Sequence, residues 1–326
     1  MTQTILICGG AGYIGAHMCE QLVERGYRVV VFDSLANGHR ESVRGGDLIV
    51  GDLRDPSAIN AAFDVHPFDA VMHFAGKIVV SESTRDPAIY YEHNVSGTVN
   101  LLQAMLRHES PPLVFSSTAA IYGNPQYTPI DEAHPCLPGN PYGWSKWIVE
   151  QMLPDFRSAY GMRSVSLRYF NAAGASASGL IGERHDPETH LIPSVLQACA
   201  EANPVDVFGN DYPTPDGTCV RDYVHVSDIC RAHLAALEYL ASGGDNEAFN
   251  LGSEKGFSVL EVIAAASRIC GKPVDYRVAP RRDGDAPVLV ASAGKARKIL
   301  NWKPVESDLE SIIGSAWRWE QRRAAQ

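Results

Sequence analysis

Several features that would narrow a function quickly are missing from this sequence. None of its 326 residues belongs to an apolar stretch approaching eighteen positions, so no segment reads as a membrane span. The seven cysteines (Cys8, Cys19, Cys136, Cys199, Cys219, Cys230, Cys270) are an odd, scattered set without a C-x-x-C pair. That excludes a disulfide framework or a zinc cage and reads as the reduced thiols of a cytoplasmic protein. Basic runs longer than two residues are absent, and 28 Lys and Arg against 38 Asp and Glu give a net charge of −10. A chain that must displace counterions from nucleic acid needs a basic face, so nucleic-acid partners are excluded while small anionic ligands are not. The first residues carry no basic segment ahead of an apolar one and reach a strand within five positions, which leaves no room for a signal peptide. With 45% hydrophobic and 20% charged residues, the composition is that of a globular protein.

What is present is alternation. Thr4–Cys8, Arg28–Phe32, Asp47–Val50, Asp69–Phe74, Pro112–Ser116 and Ser164–Phe170 are short, β-branched runs. Helical patterns separate them, such as Tyr13–Arg25 and Asn94–Leu106. Strands alternating with helices predict an α/β fold: a doubly wound, Rossmann-like parallel sheet. Residues 171 to 190 read as a Gly-, Ala- and Ser-rich loop, and later elements are shorter and interrupted by proline. The expected organisation is a nucleotide-binding domain over 1–175 and a smaller, mixed α/β substrate domain over 176–326, with the chain free to cross between them more than once.

Gly9-Gly10-Ala11-Gly12-Tyr13-Ile14-Gly15 follows the first strand and opens the first helix. Glycines at this spacing permit a tight turn, close approach of backbone to a pyrophosphate, and close helix–strand packing. Alone, such a pattern is weak and fits an ordinary strand-to-helix turn. Asp33, at the end of the second strand and 18 residues beyond Gly15, supplies the missing partner: a carboxylate for the adenosine ribose hydroxyls. It would repel a 2′-phosphate, so NAD is the expected cofactor.

Tyr142 and Lys146 stand four apart, on one face of a helix. A phenol titrates near ~10, too high for a base at neutral pH. A neighbouring ammonium lowers that value by stabilising the phenolate, the more so beside a positive nicotinamide ring. The plain alternative is a surface pair. Ser116-Ser117-Thr118, at the carboxyl edge of the preceding strand, gives the pair its company, because ligands of doubly wound sheets bind at that edge.

Together Gly9 to Gly15, Thr118, Tyr142 and Lys146 resemble the extended short-chain dehydrogenase/reductase family. The segments HFAG (73–76), SSTAAIYG (116–123), RYFN (168–171), FGNDYPTPDG (208–217), RDYVHV (221–226) and APRRDGD (279–285) resemble its UDP-glucose 4-epimerase branch. The resemblance runs over nearly the whole chain. It implies an isomerase that holds NAD tightly: Tyr142 takes the proton of the sugar 4-hydroxyl as hydride leaves C4, the 4-keto sugar turns over, and hydride returns to its other face. Lys146 then steadies the phenolate and the nicotinamide ribose, and Thr118 bonds the reacting oxygen. By the same resemblance Tyr13, Ile14, Asp33, Ser34, Asn37, Asp52, Leu53, Phe74, Ala75, Gly76, Asn94 and Phe170 surround NAD with the glycines. Asn171, Phe208, Arg221, Tyr223, Arg282 and Asp285 would surround the UDP-sugar, and a homodimer is implied.

Independently of the resemblance, a diphosphate wants guanidinium donors, which Arg221 and Arg282 supply from segments that read as turn-rich. For either arginine the bland reading is a solvated charge, and for Phe208 a core aromatic. His185, Asp186, Glu188 and His190 lack a rigid histidine pair at helical spacing and read as a solvent loop, so no metal is expected. The family pattern breaks at Lys77, displaced by one position, and at His190, where asparagine is usual. Leu289 falls near the hexose, where bulk bears on accepting an acetamido group. Two other functions compete. A 4,6-dehydratase or decarboxylase needs acids after Thr118, where Ala119 and Ala120 stand. A non-catalytic NAD sensor leaves the Thr118, Tyr142 and Lys146 set unexplained.

Overall fold

Val29, Val30 and Val31 are almost completely buried, as are all four strand neighbours from Ile5 to Cys8. Runs covered on both faces belong inside a parallel sheet flanked by helices. In the computed structural model, which describes residues 2–201, 203–282 and 284–325, the strands in chain order are β1 Thr4–Cys8, β2 Arg28–Asp33, β3 Asp47–Val50, β4 Ala70–His73, β5 Leu113–Thr118, β6 Ser164–Tyr169, β7 Asn171–Ala173, β8 Val205–Phe208, β9 Val220–His225, β10 Glu247–Leu251, β11 Gly256–Ser258, β12 Tyr276–Ala279 and β13 Val288–Leu289. The helices are α1 Tyr13–Glu24, α2 Pro56–Val65, α3 Val80–Arg85, α4 Pro87–Tyr90, α5 Gly97–Arg107, α6 Pro141–Tyr160, α7 Leu191–Glu201, α8 Val226–Ala241, α9 Val259–Cys270, α10 Gly294–Leu300 and α11 Leu309–Ala324.

A seven-stranded sheet has the order β10-β6-β5-β4-β1-β2-β3. The β1–β2, β1–β4, β2–β3 and β4–β5 pairings are parallel. The order reverses between β1 and β4, and in such a sheet the ligand crevice opens outside the carboxyl ends at that reversal. The fold is the expected α/β, Rossmann-like one.

The chain divides into two compact units. The first comprises Met1–Gly123, Pro135–Arg168 and Cys230–Phe249; the second comprises Asn124–His134, Tyr169–Ile229 and Asn250–Gln326. In the first unit, Leu6, Val30, Val71, Leu113 and Phe115 of the sheet share a core with Ile59, Leu101, Leu102 and Val149 of the helices. Helix α6 is started by Asn140, whose side chain accepts from the Gly143 amide, with Pro141 at the first helical position. It stops at Gly161, whose φ of 74° suits glycine. In the second unit β11, β9 and β13 form a sheet to which β7 adds along β9, and β12 pairs with β8. Its core joins Ile192 and Val195 of α7, Val262 and Ile263 of α9, and Ile312 and Ile313 of α11.

Local outcomes differ from the sequence reading at three places. The helix expected over Asn94–Leu106 begins with a wide π turn, Tyr91–Ser96, before α5. The segment 171–190 is not all loop, since Asn171–Ala173 pairs with Tyr223–His225. Arg221 lies on strand β9 rather than in a turn. All seven cysteines are unpaired by disulfides, and among the described residues no helix is long and apolar enough to cross a membrane.

Candidate active site

The glycine turn is held by contacts that leave no room for side chains. Gly9 has φ +82°, and a Cβ there would stand 2.4 Å from the Ala75 amide nitrogen; a Cβ on Gly15 would stand 2.2 Å from the Gly9 carbonyl oxygen. Gly12 differs, with nothing nearer than 3.5 Å. It begins α1, which has no side-chain cap and no acid in its first turn. An uncapped helix start whose first residue leaves an open approach suits a pyrophosphate. Asp33 accepts from the Ala11 amide through Oδ2 at 2.9 Å and from the Leu35 amide through Oδ1 at 2.8 Å. These two bonds leave lone pairs of the carboxylate for ribose hydroxyls. The residues present therefore fit a dinucleotide.

Thr118, Tyr142 and Lys146 are assembled by β5 and the first turns of α6. Thr118 ends β5; its hydroxyl accepts from the Ala120 amide at 3.1 Å. Lys146 is 3% exposed and its Nζ donates to the Ser116 carbonyl at 3.0 Å. Burial draws this ammonium down to about 8, with Glu150 pulling the other way. The sequence reading expected Lys146 to lower the Tyr142 phenol. Here burial raises the phenol, and the opposing pull comes from the Thr118 hydroxyl. The neighbouring His73 is kept neutral: burial, then the Lys146 charge, lowers it to about 3.

Asn94 is 2% exposed and lies on the π turn. Its Oδ1 accepts from the Lys77 amide at 2.7 Å, while Nδ2 donates to the Lys77 carbonyl at 3.0 Å and to Ser145 Oγ at 2.9 Å. Ser145 in turn donates to the Tyr142 carbonyl at 2.7 Å. A wide helical turn thus fastens the segment after β4 to the helix carrying Tyr142. Gly76 passes so close that a Cβ would stand 2.8 Å from Asn94 Oδ1. Lys77, the displaced lysine, is committed to Glu82 at 2.8 Å.

The other expected cofactor residues are more scattered. Tyr13 and Ile14 open α1, Ser34 and Asn37 are exposed, and Ala75 is half-buried. Asp52 pairs with Arg54 at 2.8 Å, which lowers its carboxyl. Leu53 is buried, and Phe74 packs at a tilt against His233 with centroids 4.6 Å apart. Phe170 belongs to the second unit.

That unit also holds the expected substrate residues. Arg221 Nη2 lies 3.2 Å from Asp285 Oδ1, and Nη1 donates to the Ala286 carbonyl at 2.8 Å. The Arg282 guanidinium sits 3.9 Å from the centroid of the Phe208 ring, a cation–π contact. Asn171 donates to the Asp222 carbonyl at 2.9 Å. Tyr223 is 5% exposed within the apolar core of the unit. Leu289 pairs in register with Arg221.

Sequence reasoning missed the layer beneath Lys146. Glu150, one turn further on the same face, is bound through both carboxylate oxygens by Arg168 at 2.6 and 3.1 Å and accepts from Ser117 Oγ. Arg168 also donates to the Tyr122 hydroxyl at 2.9 Å. The i, i+4, i+8 spacing of Tyr142, Lys146 and Glu150 was the available signal. Asp222, also missed, accepts from the Ser253 amide and hydroxyl and from the Glu254 and Ala291 amides. Burial lifts it to about 6 against those bonds.

Comparison with known proteins agrees with this geometry. A UDP-glucose 4-epimerase from Rhizobium meliloti (strain 1021) is 49% identical over 320 residues, 98% of this chain and 97% of its own. The crystal structure of UDP-glucose 4-epimerase from Brucella ovis in complex with NAD superposes with a TM-score of 0.94 at 44% identity, covering 97% of this chain and 98% of that one. The Bifidobacterium longum UDP-glucose 4-epimerase in complex with NAD+ and UDP gives a TM-score of 0.93 at 37% identity over 99% of both chains. Residues 5–252 match the model of the NAD dependent epimerase/dehydratase family, and the chain belongs to that family.

Proposed function

We propose that the protein is an isomerase that interconverts UDP-galactose and UDP-glucose at C4, with NAD held throughout the cycle. The observation that carries the reading is the buried Lys146 ammonium, fixed on the Ser116 carbonyl at 3.0 Å one helical turn beyond Tyr142, in the unit that also holds Thr118, the glycine turn and Asp33. NAD, when bound, supplies a reversible hydride acceptor. The remaining work belongs to the chain. Tyr142 removes the proton of the 4-hydroxyl and later returns it to the 4-keto oxygen, and the Thr118 hydroxyl steadies the oxygen as its charge changes. Lys146, fixed by the Ser116 carbonyl, keeps a positive charge in a dry site, and with the positive nicotinamide ring in place it would favour the phenolate that burial alone opposes. Arg221 and Arg282 supply donors to the sugar diphosphate, Phe208 offers a ring face to uracil, and Asn171, Tyr223 and Asp285 complete the substrate contacts.

Gly9, Gly12, Gly15, Tyr13 and Ile14 hold the pyrophosphate, and Asp33, Ser34 and Asn37 hold the adenosine ribose. Asp52, Leu53, Phe74, Ala75, Gly76, Asn94 and Phe170 would line the rest of the cofactor. Seven cysteines with no disulfide among them support a cytoplasmic setting. The homodimer that the resemblance implies is checked by light scattering of the eluted protein.

The test is turnover without added cofactor. Purified protein given UDP-galactose should yield UDP-glucose with no net NADH. A 4-keto-6-deoxy sugar as product would move the chain to the dehydratases, and no turnover of either sugar would favour the sensor.

A further inference from the structure

The segment from Glu183 to His190, ahead of α7, reads from sequence as a solvent loop, but it folds in on itself. The Glu183 and Glu188 side chains are 6% exposed, with His185 at 23% and His190 at 48%. One ligand atom from each of these four residues lies within 4.8 Å of the others. Glu183 Oε1 is hydrogen-bonded to His190 Nδ1 and stands 3.3 Å from His185 Nδ1, which is 3.7 Å from Glu188 Oε2. Despite these separations, the buried His185 Nδ1 and Glu188 Oε2 make no hydrogen bond. The other Glu188 oxygen accepts from the Thr189 and His190 amides, both at 2.8 Å, which fixes Oε2 toward the cluster.

Hydrogen-bonded groups align a donor hydrogen with an acceptor. His185 Nδ1 and Glu188 Oε2, crowded against the Glu183–His190 pair without that alignment, are arranged as beside a shared centre. Ligands about 2.0–2.1 Å from a tetrahedral ion stand about 3.3 Å from one another. With neutral imidazoles the four groups carry two negative charges, which one divalent cation cancels. The nearby Arg323, which senses Glu188, is spent on Glu320 at 2.6 Å. Two imidazoles and two carboxylates suit Zn²⁺ better than Ca²⁺ or Mg²⁺, which take oxygen ligands in larger number.

We propose that Glu183, His185, Glu188 and His190 form a closed, four-ligand structural site for a divalent cation, Zn²⁺ being the ion their chemistry fits. Such an ion would tie the segment together immediately before α7. Trp319, which donates to the Glu183 carbonyl at 3.2 Å, already links that segment to α11.

The test is metal content of the full chain, grown with Zn²⁺, desalted and analysed by mass spectrometry. About one Zn²⁺ per chain is expected, falling to roughly a tenth in His185→Ala and in Glu188→Gln while bound NAD stays at the wild-type level. Cobalt put in place of zinc should give the intense visible spectrum of a four-coordinate ion. A metal-free wild type, or variants that keep the full zinc content, would overturn the proposal. If the variants lose NAD and helical signal and so fail to fold, the cobalt spectrum of the wild type decides: a weak, six-coordinate spectrum overturns it.

Discussion

Lys146→Met tests whether the site's central cation is held at a cost to the fold. Burial lowers the Lys146 ammonium from 10.5 to about 8, so at neutral pH its charge destabilises the folded chain by about 3 kcal/mol. Methionine fills similar volume without charge, but it forfeits the bond to the Ser116 carbonyl, worth about 1 kcal/mol. The variant should therefore be more stable by about 2 kcal/mol, a rise in Tm of about 4 °C. The sign reverses no part of the argument below pH 8: the folded-state pKa is depressed, so the penalty is complete there. It fades as pH rises from about 8 to 10.5, and above that the lysine is neutral in both states. Thermal melts of NAD-depleted wild type and variant across pH 6 to 11 read the difference, and epimerase assays should find the variant inactive. A variant less stable at pH 7, or a stability gap that does not narrow with rising pH, would refute the reasoning.

Other perturbations reach the site by different routes. Tyr142→Phe removes the proton acceptor and should lower kcat by about 10³-fold, with NAD still bound on spectroscopy of the purified protein. Gly15→Ala places a methyl 2.2 Å from the Gly9 carbonyl oxygen; the purified variant should carry little NAD, and an unchanged cofactor content would count against the turn's assignment. Glu150→Gln strands the Arg168 charge, whose side chain is 7% exposed, and should cost about 3–5 kcal/mol in a denaturant titration. Replacing Arg168 by Met in the same chain should recover much of that loss, which a double-mutant cycle measures.

The sheet was legible because burial on two faces demands long apolar runs: Val29-Val30-Val31 can hardly be anything else. The glycine turn and Asp33 were legible for a similar reason, since a fixed strand and helix leave few residue types able to sit there. The second unit was harder to read. Arg221 lies on a strand bounded by partners drawn from distant parts of the chain, Phe257 and Leu289, and no local period marks it. The π turn around Asn94 escaped because a helix with one extra residue per turn keeps helical composition. Glu183 escaped, and Glu188 was read as part of a solvent loop, because a loop folding on itself buries side chains by contacts that no periodicity describes.

The threading of the chain has a consequence for how the molecule can be made and remade. The first unit is completed only by Cys230–Phe249, and the second borrows Asn124–His134 from far upstream. On a ribosome neither unit can finish folding when its first long segment has emerged; the opening sheet must wait, partly built, until Phe249 is released. No single cut yields an intact half. A nucleotide-binding scaffold wired in this way cannot be exchanged between proteins by joining gene fragments end to end, so its two parts are inherited, expressed and engineered as one.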